Sequence, residues 1–384
     1  MRKSYDAVVV GAGIVGAACT LEFALEGMSV AVVERDAVAG GATGAAMGHV
    51  VVMDDSAAQF ELTRYSQSLW HELALELPAD VEYYRPGTIW VAADEEEWIE
   101  VRRKWEFYSA HGVPAELLDA KLLAAAEPNL RPSFHGGLRM PADAVLNPQR
   151  AAVYLLDKAM RQRAGVEVLL GHKVTSTAHG VVSFQDGVEI HSPVIVNATG
   201  AVAPELTPGI SVRKRKGHLM ITDSYPSFAN HQLVELSYLK SAHSSNKDSV
   251  AFNVQPRRNG QLLIGSSRQY DAEDSAVEQH MLDAIMERAR LYMPEIESLK
   301  VLRAWTGFRA ATPDKLPLIG PTEDPTVFLA TGHEGLGITT SLATARLLVD
   351  SIAERQTAIP IDPYLPSRMA KDTSSIEHLK GEAR

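Results

Sequence analysis

The chain has 384 residues, of which 46% are hydrophobic, and this length allows two domains or one domain with a large insertion. Its formal net charge of −11 argues against a nucleic-acid partner, because binding to phosphates requires a basic face. Its single cysteine, Cys19, excludes an internal disulfide, an iron–sulfur cluster and a cysteine-based zinc site built by this chain alone.

The N-terminus has some features of a signal peptide. Arg2 and Lys3 precede a run without charge from Ala7 to Leu21. Asp6 interrupts the basic region, however, and three glycines interrupt the apolar run. No uninterrupted apolar stretch reaches the length of a membrane span. We therefore predict a cytoplasmic protein without a transmembrane segment, held at a membrane only through a partner if at all.

A strand–helix–strand unit covers Tyr5–Glu34. Ala7–Val10 and Ser29–Val33 have the composition of buried parallel strands, and a helix closed by Gly27 lies between them. Cys19 lies in this helix, where packing explains it. In the turn before the helix, one glycine makes the tight turn, a second lets a pyrophosphate approach the backbone, and a third lets the helix pack on the strand. These are Gly11, Gly13 and Gly16.

The same unit offers two groups to a dinucleotide. The helix N-terminus presents free N–H groups to an anion, and Glu34 can accept hydrogen bonds from a ribose. The Glu34 carboxylate would repel a 2′-phosphate, which disfavours NADP. Nothing in this unit separates NAD from FAD.

The next segments alternate between small-residue, helical and strand patterns. Residues 38–55 are rich in Gly and Ala, so the backbone can lie close to a flat ligand. We predict a helix over 58–77, a strand over 82–92 and a charged, solvated helical segment over 94–126. Short strands follow over 166–200, which ends in a buried strand at Val194–Val196 and a turn of small residues.

The second half of the chain has four recognisable features. The basic run "RKRKG" at 213–217 is typical of a solvated turn. Residues 250–267 predict a hairpin with a two-residue turn at Asn259-Gly260. An amphipathic helix is predicted over 275–293, with Val277, Met281, Ile285 and Ala289 on one stripe. The polar residues 367–384 are predicted to form a flexible tail.

Five motifs in order carry a family resemblance. They are the glycine unit ending at Glu34, "GGATG" at 40–44, "VNATG" at 196–200, "WTGFRAATPDKLPLIG" at 305–320 and "TGHEGLGIT" at 331–339. Together they make the chain resemble the FAD-dependent amine oxidoreductases that include glycine oxidase, sarcosine oxidase and D-amino-acid dehydrogenase. Within that family, "ATGAAMGHVVVMDDS" at 42–56 and the late glycine segment are most similar to the β subunits of D-hydroxyproline dehydrogenases and opine oxidases.

The resemblance implies an α/β fold with two domains. A discontinuous Rossmann-like FAD-binding domain is expected over 1–80, 145–212 and 310–366. A β-rich, antiparallel-sheet substrate domain with helices is expected over 81–144 and 213–309. The late glycine segment is expected against the isoalloxazine ring, where the N-terminus of a helix beginning near Ile338 would stabilise the reduced flavin.

The resemblance also assigns site residues. Arg309 is expected to bind a substrate carboxylate in two-point fashion, the alternative being a surface or ion-pair arginine. The expected contacts to FAD are Gly11, Gly13, Ile14, Val15, Gly16, Glu34, Arg35, Gly41, Ala42, Thr43, Gly48, Val174, Thr199, Gly200, Gly332, Gly335, Leu336, Gly337, Ile338 and Thr339. Weaker candidates for the substrate pocket are Asn253, His333 and Glu334. Met47 and His49 are consistent with flavin contact or with loop packing, and His218 and His243 with structural or exposed positions.

Departures from the family pattern bear on the cofactor and the substrate. Some relatives attach the flavin through a late cysteine or through a histidine in the early loop, where this chain has Ala45 and Ala46. We therefore predict non-covalent FAD and no metal. Relatives like glycine oxidase tend to have tyrosine where this chain has Phe252-Asn253 and arginine where it has Gly335, so glycine is not the expected substrate.

The predicted reaction is hydride transfer from the carbon beside an amine to flavin N5, which produces an imine. The predicted substrate is a D-configured or secondary amine such as cis-4-hydroxy-D-proline. The chain has no redox cysteines and no haem motif, so either oxygen or another chain receives the electrons. The resemblance to β subunits implies a partner subunit with further redox cofactors as the acceptor. The alternatives are an oxygen-using glycine or sarcosine oxidase, an opine oxidase subunit, a non-catalytic FAD-binding subunit and an NAD-dependent dehydrogenase.

Overall fold

The computed structural model describes residues 3–163, 165–236, 248–270 and 272–369. The helices in chain order are α1 Ile14–Leu25, α2 Ala57–Leu73, α3 Glu95–Ala110, α4 Ala120–Ala126, α5 Pro148–Met160, α6 Ala203–Leu206, α7 Gln279–Tyr292 and α8 Gly337–Ile352. The strands are β1 Ala7–Val10, β2 Val30–Glu34, β3 His49–Val50, β4 Thr88–Ala92, β5 Glu116–Asp119, β6 Gly136–Met140, β7 Ala144–Val145, β8 Val166–Leu170, β9 Val174–Ala178, β10 Val181–Phe184, β11 Glu189–His191, β12 Val194–Asn197, β13 Arg213–Thr222, β14 Gln232–Glu235, β15 Ser249–Pro256, β16 Leu262–Tyr270, β17 Val301–Ala311, β18 Leu318–Pro321 and β19 Val327–Thr331.

A six-stranded, Rossmann-like sheet has the order β18-β19-β12-β1-β2-β8, and every neighbouring pair is parallel except β18 with β19. Its central strands are buried, continuous apolar runs, as expected for parallel strands covered on both faces. Helices α1, α5 and α8 supply apolar side chains to the largest core cluster of the described residues, which packs against this sheet.

An eight-stranded sheet has the order β17-β13-β16-β15-β14-β4-β6-β5. Its neighbours are antiparallel except for the parallel pair β14 and β4. A second core cluster joins this sheet to α7, and Phe252 stacks there on Tyr292 with ring centroids 4.3 Å apart. The fold is therefore α/β, with a parallel sheet and a largely antiparallel sheet, as the sequence predicted.

Several predicted boundaries need correction. The segment predicted as helix over 94–126 is α3, then strand β5, then α4; the break follows His111, where Gly112 adopts a positive φ of 69° ahead of Pro114. The strand predicted over 82–92 begins only at Thr88. The amphipathic helix begins at Gln279, which leaves Val277 exposed outside it.

The hairpin predicted over 250–267 is present as β15 and β16, but its turn is longer than predicted. The Arg257 N–H donates to the Gln261 carbonyl over 2.8 Å, which leaves a three-residue loop with Gly260 at a φ of 82°. The flexible tail predicted over 367–384 lies outside the described residues except for its first three positions.

The basic run at 213–217 is not a solvated turn, and this prediction is wrong. These residues begin β13, in which Arg215 and Lys216 are buried. Lys216 donates hydrogen bonds to Glu278 over 2.8 Å and to Asp274 over 3.2 Å. Burial of two adjacent cations is tolerable here because carboxylates from distant segments neutralise them.

Candidate functional site

A cleft of about 600 Å³ lies between the two sheets. Strands β1, β12 and β19 are neighbours in the parallel sheet, so their carboxyl ends meet at one edge. Each strand leads there into a turn that contains glycine. The eight-stranded sheet contributes the opposite wall, with residues of β13, β15, β16 and β17 facing the cleft. A ligand at this edge would therefore contact segments more than 300 residues apart in sequence.

The first glycine turn forms one end of the cleft. Gly13 precedes α1, and the Ile14 N–H donates to Thr43 Oγ1 over 3.0 Å. The Glu34 carboxylate accepts hydrogen bonds from the backbone N–H groups of Ala12, over 2.9 Å, and Asp36, over 3.0 Å. Glu34 thus fixes the turn after β1 to the end of β2, and it lines the cleft where the resemblance places a ribose.

The late glycine segment forms the middle of the cleft. Helix α8 begins at Gly337, and no side chain caps its N-terminus at Leu336. Thr339 holds this helix against the early loop, because its hydroxyl donates to the His49 carbonyl over 3.1 Å and accepts from the Val51 N–H over 3.3 Å. The uncapped N–H groups of the first turn provide a positive potential at the lining of the cleft.

Sixteen of the twenty residues predicted to contact the cofactor line this cleft. Gly16, Gly48, Gly332 and Thr339 are not part of this lining. A Cβ atom at Gly16 would overlap the Gly11 carbonyl, and one at Gly48 would overlap the Leu146 carbonyl. These positions require glycine for close packing of the backbone rather than for ligand contact.

Arg309 lies on β17, in register with Arg215 on β13. Its guanidinium extends across Gly217, where a Cβ atom would lie 2.6 Å from Nη1. Arg309 Nη1 donates to the Ser267 carbonyl over 2.9 Å, and a Cβ atom at Gly335 would lie 3.8 Å from Nε. The guanidinium is therefore held between β13, β16 and the late glycine segment, and it lines the cleft.

Glu334 lies among four cationic side chains, which we call the cationic cluster: Arg215, Arg268, Arg309 and Lys315. Its backbone has a left-handed φ of 52°, and its N–H donates to the Ala310 carbonyl over 2.9 Å. The Glu334 carboxylate pairs with Arg215, whose Nη1 also donates to the Tyr270 hydroxyl over 3.1 Å. Burial raises the pKa of Glu334, against the lowering effect of the four cations.

Two histidines of the lining are uncharged at neutral pH. Burial lowers the pKa of His49 to about 4 and that of His333 to about 3. The His333 ring is hydrogen-bonded to the Thr344 hydroxyl of α8 over 3.0 Å. His333 therefore lines the cleft, but its ring is hydrogen-bonded to α8.

Several buried polar atoms in the lining have no hydrogen-bond partner within the described part of the chain. They include Asn253 Oδ1, Ser266 Oγ and Gln232 Oε1. Buried polar atoms of this kind are almost always satisfied, so they indicate a bound ligand or water. At the other end, Cβ atoms at Gly41 and Gly200 would meet nothing within 4 Å, so the backbone there leaves open space. The cleft therefore fits a long ligand. At one end such a ligand can approach the backbone closely, and at the other end the cleft presents polar side chains to it.

Sequence reasoning missed the wall contributed by β13 and β16. Arg215, Gly217 and Leu219 alternate along β13 and line the cleft, as does Arg268 on β16. The alternation was present in the sequence, but the run of charges hid it. His218 points away from this lining, and its ring is bonded to Ser267 Oγ over 3.0 Å and to the Glu278 N–H over 3.2 Å, a structural role.

Met47 and His49 line the cleft, Cys19 is buried in α1, and His243 lies outside the described residues. Among the residues that the structure describes, no cluster of His, Cys, Asp or Glu could hold a metal ion. No helix in the described ranges has the length and apolar character needed to cross a membrane.

Comparison with known proteins gives consistent matches over nearly the whole chain. The family model DAO, described as FAD dependent oxidoreductase, matches residues 6–351. Hydrogen cyanide synthase subunit HcnC of Pseudomonas aeruginosa is 28% identical, covering 98% of this chain and 99% of that protein. Glycine oxidase of Geobacillus kaustophilus is 27% identical, covering 96% and 98%.

Solved structures agree with the sequence matches. The crystal structure of glycine oxidase from Geobacillus kaustophilus has a TM-score of 0.85 at 25% identity, covering 95% of this chain and 98% of that one. The L-proline dehydrogenase from P. horikoshii has a TM-score of 0.86 at 22% identity, covering 97% and 99%, and shows the fold alone.

Proposed function

The chain belongs to the DAO family of FAD-dependent oxidoreductases with FAD as its cofactor, and from this premise we propose that it oxidises the carbon–nitrogen bond of an amine that carries a carboxylate. One observation carries the proposal: the Arg309 guanidinium extends over Gly217 into the cleft, beside the late glycine segment. A guanidinium in this position can bind a carboxylate through two parallel hydrogen bonds and fix the rest of the substrate. The glycine oxidase relative supports an amino acid as the substrate class.

The residues of the cleft fit FAD along its length. The turn of Gly11 and Gly13 would hold the pyrophosphate, with Glu34 at the ribose and the start of α8 at the flavin ring. The uncapped N–H groups of α8 would favour negative charge on the reduced ring. Ala45 and Ala46 offer no group for covalent attachment, so we propose non-covalent FAD.

Bound FAD supplies an acceptor for a hydride. Arg309 would hold the substrate carboxylate, so that the C–H bond beside the nitrogen is oriented toward the ring. The C–H bond would break with both of its electrons, which leave as hydride, while the amine lone pair forms the C=N bond. The product is an iminium ion, which becomes an imine when its N–H proton is released to solvent. This step needs an uncharged amine. Cations of the cluster close to the bound amine would lower the pKa of its ammonium form and so favour the uncharged amine.

The finer predictions rest on the sequence resemblance. Under this proposal the substrate is a D-configured or secondary amine such as cis-4-hydroxy-D-proline, and a partner subunit receives the electrons. The HcnC relative is named as a subunit, which supports a multi-subunit context. The proposed FAD-binding segments 1–80, 145–212 and 310–366 contain every strand of the six-stranded sheet. The proposed substrate segments contain the whole eight-stranded sheet except the last two residues of β17.

Anaerobic mixing of the FAD-loaded chain with a panel of amines tests the proposal. The panel contains cis-4-hydroxy-D-proline, its L-epimer, D-proline, sarcosine, glycine, iminodiacetate and N-(1-carboxyethyl)alanine. We expect loss of the visible flavin absorbance with at least one carboxylate-bearing amine. Bound FAD that none of these compounds reduces, with or without a co-expressed partner, would contradict catalysis by this chain and favour a non-catalytic FAD-binding subunit.

Arg309→Lys provides the residue-level test. Lysine keeps the charge but loses the planar fork, so the substrate concentration for half-maximal reduction should rise about 10-fold or more while FAD stays bound. Arg303→Lys is the matched control, because Arg303 lies on the same strand, exposed, with its guanidinium over the Trp305 ring. Equal substrate dependence in the two variants would remove Arg309 from the site.

A further inference from the structure

Three neighbouring strands of the eight-stranded sheet form an uncharged part of the cleft, which we call the neutral wall. Among the described residues, β4, β14 and β15 contribute to the lining Thr88, Trp90, Gln232, Val234 and Asn253. Val234 is in register with Trp90 on one side and with Asn253 on the other. Gln232 lies two positions before Val234, so both side chains are on the same face of the sheet, and it is in register with Thr88.

Two amides of the neutral wall are buried. Gln232 is 3% exposed and Asn253 is 6% exposed. Gln232 Oε1 and Asn253 Oδ1 have no hydrogen-bond partner in the described part of the chain. A buried polar atom without a partner is destabilising, so packing alone would favour an apolar side chain at both positions. Two such amides on adjacent strands therefore indicate a ligand that forms hydrogen bonds with them.

The neutral wall lies across the sheet from Arg309. The Arg309 guanidinium extends over Gly217 of β13, and β16 lies between β13 and β15, so about 10 Å separates these two strands. On β16, Gly265 is in register with Asn253, and a Cβ atom there would lie 2.5 Å from Leu219 Cδ2. The Leu219 side chain therefore covers β16. A small substrate with its carboxylate on Arg309 would cross this apolar surface and reach the amide of Asn253.

The two amides define the chemistry of the group that they bind. Each carboxamide has N–H donors and a carbonyl acceptor, so a group that both donates and accepts can bind it in either orientation. A hydroxyl or a carboxamide is such a group. A charged group would lose hydration here without meeting an opposite charge on the neutral wall, and a methyl group would leave both amides unpaired.

We propose that Gln232 and Asn253 select substrates that carry an uncharged hydrogen-bonding group, such as a hydroxyl, a few bonds beyond the carbon that is oxidised. This inference rests on the proposed function and narrows its substrate class from amines with a carboxylate to those that also carry a neutral polar group. It gives Asn253 a specific role and adds Gln232 to the predicted site residues.

Ligands without an amine test this selection separately from the reaction. Pentanoate, 4-hydroxybutanoate and glutarate have similar lengths and end in a methyl, a hydroxyl and a carboxylate group. We expect 4-hydroxybutanoate to perturb the flavin spectrum of the FAD-loaded chain with at least about 10-fold higher affinity than the other two ligands. Equal affinity for 4-hydroxybutanoate and pentanoate would mean that the amides bind only water and would overturn the proposal, as would tightest binding of glutarate.

Variants test whether the two amides cause the preference. Gln232→Met and Asn253→Leu each replace an amide by an apolar group of similar size. Each variant should reduce the preference for 4-hydroxybutanoate over pentanoate to about 3-fold or less, with FAD retained. Gln261→Met is the matched control, because Gln261 lies between β15 and β16 and outside the lining.

Two results with these variants would refute the assignment. One is a preference for 4-hydroxybutanoate that survives both substitutions. The other is weaker FAD binding in both variants with an unchanged preference, because the amides would then bind the flavin rather than the substrate.

The reaction provides a second test. cis-4-Hydroxy-D-proline and D-proline differ by one hydroxyl, and D-glutamine and D-glutamate differ in the charge of the side chain. In a pair that reduces the flavin, kcat/KM should be at least about 10-fold higher for the member with the neutral polar group, and Asn253→Leu should lower this ratio. Equal kcat/KM within the pair would refute the selection and leave amine oxidation intact. If none of the four reduces the flavin, the proposed function is in question, and the ligand series still decides the selection.

Discussion

Gly217→Ala probes the placement of Arg309 with the smallest change in the chain. Gly217 pairs with Gly307 across β13 and β17, and its φ is outside the left-handed region. Alanine is therefore compatible with the backbone, and the strand should form normally. The added Cβ would lie 2.6 Å from Nη1 and 2.9 Å from Cζ of Arg309, well inside van der Waals contact.

The guanidinium must move by about 1 Å to restore an ordinary contact, and a misplacement of this size can cost about 100-fold in rate. The move would also weaken the hydrogen bond from Nη1 to the Ser267 carbonyl. Loss of one charged hydrogen bond corresponds to roughly 1.5–3 kcal/mol, or about 10-fold to 150-fold. We expect kcat/KM for flavin reduction to decrease by about 10-fold to 150-fold, while FAD content and Tm stay nearly unchanged.

A double-mutant cycle gives the decisive assay. Stopped-flow reduction is measured for the wild type, Gly217→Ala, Arg309→Lys and the double variant. If the alanine acts through Arg309, its penalty should shrink to about 3-fold or less in the Arg309→Lys background, because the flexible lysine avoids the new methyl group. Two results would refute the placement of Arg309. One is a Gly217→Ala variant with wild-type kcat/KM, and the other is an equal loss of kcat/KM from Gly217→Ala in the wild-type and Arg309→Lys backgrounds.

Three further predictions concern stability and the flavin. Burial raises the pKa of Asp143 to about 7 in the folded protein. The folded state therefore loses stability relative to the unfolded state as the pH rises from about 4 to 7, because only the unfolded chain ionises freely in that range. Asp143→Asn should therefore gain stability over the wild type as the pH is raised from 5 to 8, by up to about 3 kcal/mol in chemical denaturation; a constant difference would contradict the shift. Because Ala45 and Ala46 stand in the early loop, acid precipitation should leave FAD in the supernatant, and a yellow pellet would show covalent attachment. The isolated chain should pass electrons to artificial dyes faster than to oxygen, and rapid peroxide release during turnover would contradict a partner acceptor.

The parallel sheet and its glycine turns were predictable from sequence because their signals are local. Ala7–Val10 and Val194–Asn197 are short, largely apolar runs followed by small residues. A parallel strand that is buried on both faces requires apolar side chains on both faces, so its sequence shows a continuous apolar run. The start of α8 at Gly337 also agrees with the predicted helix near Ile338.

The eight-stranded wall was less predictable because its charges are neutralised over long distances in sequence. Lys216 meets Asp274 and Glu278, 58 and 62 residues away, and Arg215 meets Glu334, 119 residues away. A local reading of consecutive cations predicts solvation, since no nearby acid can offset them. Only the alternation of Arg215, Gly217 and Leu219 was available as a signal for a strand with one face in the site.

A backbone hydrogen bond joins the two walls of the cleft. The Glu334 N–H donates to the Ala310 carbonyl, which joins the end of β17 to the segment that leads into α8. Arg309 immediately precedes one partner of this bond, and Gly335 immediately follows the other. The group proposed to hold the substrate and the segment proposed to hold the flavin are thus fixed to each other within one residue. Hydride transfer depends on the distance and orientation of donor and acceptor, so this connection would help to position the bound substrate against the flavin.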